Sequence, residues 1–99
     1  MKTFKDIIWH IHRNIPNAIQ GHLILECGKE LSLAAGPSLY STPGGLHSSD
    51  PVTEPEQCVS FEVAIIDIDG SFVDDVMGWQ GRGEINNLIL DLETPKDVL

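Results

Sequence analysis

The stretch CVSFEVAIIDIDG, residues 58–70, has the clearest strand pattern in the chain. Its larger apolar side chains alternate from Val59 to Ile65 and share one face, while the intervening residues share the other face. Asp69-Gly70 is a favoured type I′ hairpin turn, and SFVDDVMGW (residues 71–79) can return as the paired strand. The stretch therefore predicts a β-hairpin that ends in an acidic turn.

A second hairpin is predicted from HLILECGKELSLAA, residues 22–35. Gly28-Lys29 has the glycine-first form of a two-residue type II′ turn. A turn at that position places Ile24 opposite Leu33. Apolar residues then lie on both faces of the hairpin, so we expect one face to pack on the core and the other to be partly covered.

Two amphipathic helices are predicted, one near each end of the chain. Residues 3–14 carry apolar side chains in a 4-3-4 spacing, and Pro16 would end that helix. In GEINNLILDLE, residues 83–93, apolar side chains recur at i, i+3, i+4 and i+7. The first set is Phe4, Ile8, Ile11 and Ile15, and the second is Ile85, Leu88, Ile89 and Leu92.

The order helix, two hairpins, helix predicts an α+β fold, in which an antiparallel sheet of two β-hairpins packs against the N-terminal and C-terminal amphipathic helices. Residues 1–99 are expected to form a single domain. Residues 36–57 form a long loop, in which 11 of 22 residues are Gly, Pro or Ser. Its Leu39, Tyr40 and Leu46 either anchor the loop to the core or are presented to a partner.

Negative charge is the strongest compositional signal. The net charge is −9, with +1 in residues 1–49 and −10 in residues 50–99. Such a surface disfavours nucleic acid and membranes and attracts a basic partner, although it could also serve only solubility. No apolar stretch is long enough to cross a bilayer, and charges interrupt any signal-peptide core, so we expect a soluble, cytoplasmic protein. Cys27 and Cys58 show no metal-binding spacing, and a disulfide between them is disfavoured.

The segment IIDIDGS, residues 65–71, resembles the first motif of the haloacid dehalogenase-type phosphatases. The resemblance implies that Asp67 is a nucleophile, that Asp69 is an acid/base and that magnesium holds the phosphate. That family also needs a downstream lysine and a later acidic magnesium motif within a larger parallel sheet. Lys96 is the single lysine after the motif, and too little chain follows it, so we favour a hairpin turn.

Other cofactor and metal patterns are incomplete. His10 and His12 would share a face on a strand, but on the predicted helix they lie about 200° apart. Gly70 follows the second aspartate directly, which does not fit a calcium-binding EF-hand loop. GWQGRGE, residues 78–84, lacks the Lys-Ser/Thr of a P-loop. We therefore predict no catalytic residue, no metal, no cofactor and no enzymatic activity.

The segments GKELSLAAGPSLYSTP, FEVAIIDIDGSFV and GWQGRGEINNLILDL together resemble small accessory proteins of bacteriophages and prophages, over roughly residues 28–93. Members of that group with known roles commonly bind and block a host factor. They include anti-CRISPR and anti-restriction proteins, and several are strongly acidic. The resemblance implies an inhibitory binding role without naming a target.

The resulting hypothesis is a protein-binding module that docks an acidic surface onto a host protein with a basic, nucleic-acid-handling surface, with no direct contact to nucleic acid or membranes. The predicted partner-binding residues are Glu62, Asp67, Asp69, Asp74, Asp75, Trp79 and Tyr40. One alternative is a structural or assembly protein that self-associates, as a homodimer for example, through an open sheet edge. Another is a metal-dependent hydrolase built on the aspartates.

Overall fold

The computed structural model describes residues 2–94, which form a mainly antiparallel sheet with one α-helix on one of its faces. The strands are β1 (Ile8–Ile11), β2 (Ile19–Ile24), β3 (Glu30–Pro37), β4 (Gly44–Gly45), β5 (Phe61–Ile66) and β6 (Met77–Gln80). The sheet order is β1-β2-β3-β5-β6, and β4 pairs in parallel with the end of β3. Two short 3-10 turns, Phe4–Asp6 and Pro55–Gln57, and the helix α1 (Arg82–Glu93) complete the described chain.

The predicted fold class is wrong because residues 3–14 do not form a helix. They form a 3-10 turn followed by β1, so within residues 2–94 the sheet has six strands and a single α-helix packs on it. Ile8 and Ile11, which the 4-3-4 spacing placed on a buried stripe, are 74% and 73% exposed. Ile7 is buried instead, and Trp9 is half-buried against the core. The β-branched and aromatic side chains of this segment favour a strand.

The hairpin of β2 and β3 is present, but its predicted turn and register are wrong. The strands are joined by a three-residue loop that ends at Gly28, whose φ of 94° suits a glycine, rather than by a turn at Gly28-Lys29. Ile24 consequently pairs with Glu30 and not with Leu33. A shift by an odd number of residues exchanges the two faces, and Ile24 is therefore exposed.

The hairpin of β5 and β6 closes in the same manner. The backbone amide of Asp67 donates to the carbonyl of Ser71, and the three-residue loop between them ends at Gly70, with φ 87°. The predicted two-residue type I′ turn at Asp69-Gly70 is therefore wrong. After Phe72 bridges Ile66, residues 74–76 separate the hairpin end from β6. Phe61, Val63 and Ile65 are buried on one face, whereas Val59 is exposed.

The helix α1 covers one face of the sheet, called here the core face. The helix lies where its periodicity predicts it, and Ile85 and Ile89 are fully buried against the strands. The guanidinium of Arg82 at its start donates to the carbonyl oxygens of Cys58 and Pro55, at 2.7 and 2.8 Å. No helix in residues 2–94 is both long and apolar enough to cross a membrane.

Residues 36–57 pack against the sheet rather than projecting into solvent. Leu39 is buried and anchors this segment in a small second cluster, whereas Tyr40 and Leu46 are exposed. The amide of Val52 donates to the carbonyl of Asn17 at 2.8 Å, and Val52 itself belongs to the main core. Of the three large apolar side chains, Leu39 thus serves as an anchor and the other two remain accessible.

The opposite face of the sheet carries no helix and is called the open face. The strand registers place on it alternate residues that are mostly polar or half-buried. These residues are Ile8, His10, Gln20, His22, Ile24, Glu30, Ser32, Ala34, Glu62, Ala64 and Ile66. Both cysteines are free; Cys27 is exposed and Cys58 is buried.

Candidate functional site

The segment DIDGSFVDDV, residues 67–76, joins β5 to β6 and is called the acidic loop. It contains four aspartates and no Lys, Arg or His. The side chain of Asp69 accepts hydrogen bonds from the backbone amide and the hydroxyl of Ser71, at 2.9 and 2.5 Å. These bonds hold the pKa of Asp69 below its ordinary value. The turn therefore carries a fixed negative charge at neutral pH.

Two further aspartates of the acidic loop accept hydrogen bonds from the residue that follows them. The Asp67 carboxylate accepts from the amide of Ile68 at 2.8 Å, and the Asp74 carboxylate accepts from the amide of Asp75 at 2.8 Å. Asp74 and Asp75 are both exposed. The acids thus shape the loop backbone while directing charge to solvent.

Apolar side chains are exposed on the same loop. Ile68 is 76% exposed and Phe72 is 63% exposed, and Val73 and Val76 are also exposed. Several large apolar side chains exposed within one short segment commonly mark a contact with another molecule. The sequence reasoning selected the aspartates and missed these four side chains, because their exposure depends on β5 ending at Ile66.

A second group of predicted residues meets beside β6. The Tyr40 and Trp79 rings lie 5.2 Å apart, both are more than half exposed, and the Trp79 amide donates to the Tyr40 carbonyl at 2.9 Å. Glu62, on the open face of β5, accepts a hydrogen bond from the Tyr40 amide at 3.0 Å. Glu62 therefore holds the loop that carries Tyr40, in addition to any role toward a partner.

The predicted site consequently divides into two groups along one hairpin. Glu62 and Asp67 are five residues apart on an extended strand, which corresponds to about 16 Å. The aromatic pair of Tyr40 and Trp79 lies toward one end of β5, and the acidic loop lies at the other. The structure thus places an exposed aromatic pair and an exposed acidic loop along the same hairpin, without bringing them into one pocket.

Histidines form a separate cluster on the open face. The rings of His10 and His22 are stacked, with centroids 5.0 Å apart and an interplanar angle of 12°. His22 Nδ1 lies 3.1 Å from the Glu30 carboxylate. The predicted helical separation of His10 and His12 is wrong, because His10 lies in β1 and His12 follows directly after it.

His12 has a structural role of its own. Its Nδ1 atom accepts hydrogen bonds from the backbone amides of Asn14 and Ile15, both at 3.1 Å. Burial, followed by the neighbouring His10, lowers the pKa of His12, although Glu62 acts in the opposite direction. Within residues 2–94, no three His, Cys, Asp or Glu side chains are placed to share a metal ion.

Two open cavities flank β1, and neither includes a predicted partner-binding residue. The larger, about 550 Å³, has Ile8 and Ile24 among its apolar walls and Lys2 and Asp6 among its polar ones. The smaller, about 390 Å³, lies on the core face beside Trp9.

Comparisons with known proteins add no relative to this description. No protein family model matches the chain, and neither the curated proteins nor the solved structures include a significant match.

Proposed function

We propose that the acidic loop docks onto a basic surface of another protein and that the chain acts by occupying that surface. The observation that carries the proposal is the coincidence of four aspartates, no cationic side chain and exposed apolar side chains within residues 67–76. Solubility would account for carboxylates alone, but it does not account for exposed Ile68 and Phe72. A partner with a basic rim around an apolar cleft fits both kinds of side chain.

The two kinds of side chain make different contributions to binding. Aspartates on an exposed loop steer the encounter and fix the orientation, and their effect is screened by salt. Burial of Ile68 or Phe72 supplies affinity, at about 1.5–3 kcal/mol for each fully buried side chain. Tyr40 and Trp79, on the same edge, are available as a second contact region, since aromatic side chains are common binding hot spots.

The proposed partner is a host protein whose basic surface otherwise handles nucleic acid, in the cytoplasm of a bacterial cell. Two observations support this class of partner: the net charge of −10 in residues 50–99 and the resemblance to acidic phage accessory proteins. The proposed action is steric inhibition without catalysis.

Affinity capture from a bacterial lysate, at low and then at high salt, tests this proposal. We expect the tagged chain to retain a basic protein that high salt releases. A variant carrying Asp74→Asn and Asp75→Asn, or Phe72→Ser alone, should retain much less of it. The matched control carries Asp50→Asn and Asp91→Asn, which remove the same charge at exposed positions outside the loop. Equal capture by the loop variants and the control would refute the proposal.

A further inference from the structure

The outer side of β1 is a free strand edge within the described chain. Ile8 pairs with His22, and the amide of His12 donates to the carbonyl of Ala18 at 2.9 Å. In an antiparallel ladder, alternate residues direct both backbone groups to the same neighbouring strand. Residues 8, 10 and 12 therefore direct their backbone groups to β2, while Trp9 and Ile11 direct theirs away from the sheet. Of these outward groups, the Ile11 carbonyl oxygen lies 2.9 Å from His10 Nδ1.

β1 is short, at four residues, but it lacks the other features that usually protect an edge strand. Its sequence, IWHI, contains no proline and no Asp, Glu, Lys or Arg, and its pairing with β2 is regular along the whole strand. Ile11 is 73% exposed on this edge. An exposed, regular and apolar edge strand is a template for pairing with another strand.

The other edge of the sheet, β6, is protected. Its pairing with β5 is interrupted by a bulge, and Trp79 has a positive φ of 53°. The Trp79 amide already donates to the Tyr40 carbonyl, and Gly78 lies so close to Tyr40 that an added Cβ would be 2.8 Å from it. Of these two edges, β1 is therefore the better candidate to accept a further strand.

We propose that two copies of this chain pair through β1, in antiparallel orientation, about a two-fold axis at His10. With Trp9 of one copy opposite Ile11 of the other, the outward-facing amide and carbonyl groups of both residues are aligned for four hydrogen bonds. In two of these bonds the Ile11 carbonyl would accept a second donor, in addition to His10 Nδ1 at 2.9 Å. If the two-fold axis passed through Trp9 or through Ile11 instead, only that one residue of β1 would pair with an outward-facing residue of the β1 strand in the other copy. The outward groups of β1 therefore select the register centred on His10.

Side chains fit the same register. Ile11 lies on the same face of β1 as Trp9, so the pairing places the exposed Ile11 of one copy beside the half-buried Trp9 of the other. Trp9 also lines the cavity of about 390 Å³ on the core face. The Ile11 side chain of the second copy thus gains a further apolar cross-strand neighbour, in addition to Ile19 of its own chain.

Charge does not oppose this assembly, despite the net charge of −9. The segment around β1 carries Lys2, Lys5 and Arg13 against the single acid Asp6. In the paired sheet, the two β5 strands are seven strand spacings apart, or about 34 Å. That distance is several times the screening length of about 8 Å at physiological salt, so the two acidic loops hardly repel each other.

The mass of the chain in solution, measured by sedimentation across the micromolar range, tests the proposal. We expect a concentration-dependent dimer that Ile11→Lys weakens by about tenfold or more, since a lysine on an edge strand opposes pairing. Val59→Lys is the matched control, because Val59 is equally exposed, at 72%, and lies outside β1. A monomer at all concentrations, or a dimer that Ile11→Lys leaves intact, would overturn the proposal.

A cross-link tests the register. At a non-hydrogen-bonded antiparallel pair the Cα atoms are about 4.5 Å apart, which a disulfide can span. His10→Cys, in a chain that also carries Cys27→Ser, should therefore form a covalent dimer on mild oxidation, whereas Ser32→Cys in the same background should not. Absence of the His10→Cys cross-link in a chain that sediments as a dimer would overturn the register.

This interface is independent of the proposed binding function. The dimer should persist at high salt and in the Phe72→Ser variant, whereas capture of a basic partner should not. Failure of one proposal therefore leaves a different experimental signature from failure of the other.

Discussion

Gly21→Ala provides a direct test of the packing of β1 on the sheet. Gly21 pairs with Trp9, and a Cβ added at position 21 would lie 2.7 Å from Trp9 Cε3 and 2.7 Å from Ile7 Cγ2. Ordinary contacts between carbon atoms are about 3.5–4.0 Å, so both side chains would have to move by about 1 Å. Forced repacking of this kind costs about 1–3 kcal/mol.

The lower entropy of the unfolded alanine chain offsets about 0.4–1 kcal/mol of that cost. We therefore expect Gly21→Ala to lower the free energy of unfolding by about 1–2 kcal/mol. In a domain of this size, each kcal/mol corresponds to about 4–8 °C in Tm. Urea unfolding followed by circular dichroism, together with a thermal scan, measures both quantities.

Gly83→Ala is the matched control, because its added Cβ would meet no atom within 4 Å apart from its chain neighbours and the backbone of its own helix, and the residue is in the first turn of α1. It should stabilise the chain by up to about 1 kcal/mol. In a double-mutant cycle, Trp9→Leu should reduce the cost of Gly21→Ala. If Gly21→Ala stabilised the chain as Gly83→Ala does, Trp9 would not lie over Gly21, and the reasoning on β1 would be refuted.

Three further predictions concern single side chains. The lowered pKa of His12 means that folding favours its neutral form, so the free energy of unfolding should fall as the pH drops below the ordinary pKa of 6.5. In His12→Asn, the side-chain oxygen can accept hydrogen bonds from the same amides, and the urea midpoint should therefore vary less between pH 5 and pH 8. Burial raises the pKa of the Cys58 thiol to about 11, so maleimide should label Cys27 rapidly and Cys58 only on unfolding, as read by mass spectrometry. Arg82→Lys retains the charge but loses the guanidinium that donates to the carbonyl oxygens of Cys58 and Pro55. Thermal scans should show that the free energy of unfolding falls by about 1–3 kcal/mol, and by at least as much in Arg82→Met.

The N-terminal part of the fold could not be predicted from spacing alone. The apolar residues of positions 4–15 fit a helical stripe by coincidence, because Ile8 and Ile11 belong to opposite faces of a strand and both are exposed. A strand of four residues offers too little alternation to outweigh that pattern. The competing signal was the β-branched and aromatic content of IIWHI, which reflects packing on a pleated surface.

Helix α1 was predictable because its apolar positions persist over three turns and its buried residues are those of the stripe. The hairpins were predictable in existence but not in register. Gly28 and Gly70 each close a three-residue loop, whereas the sequence also allows two-residue turns that contain them. The observed loop shifts the partner of Ile24 by three residues, from Leu33 to Glu30, and any odd shift exchanges the faces of a strand.

The aspartates of the candidate site could be predicted from the sequence, but its exposed apolar side chains could not. Asp67, Asp69, Asp74 and Asp75 are visible as a run of acids in the sequence. The exposure of Phe72, like that of its apolar neighbours, depends on where the sheet ends, and this is set by pairing between distant residues. Local sequence carries no such information.

The association rate of the captured partner, measured as a function of salt concentration, tests the proposed role of the acidic loop most directly. We predict that the rate constant falls steeply as salt rises, and that the variant with Asp74→Asn and Asp75→Asn associates more slowly with a shallower salt dependence. Phe72→Ser should instead accelerate dissociation, because it removes buried apolar area. A rate constant that is independent of salt, and equal in the wild type and in the aspartate variant, would contradict the account.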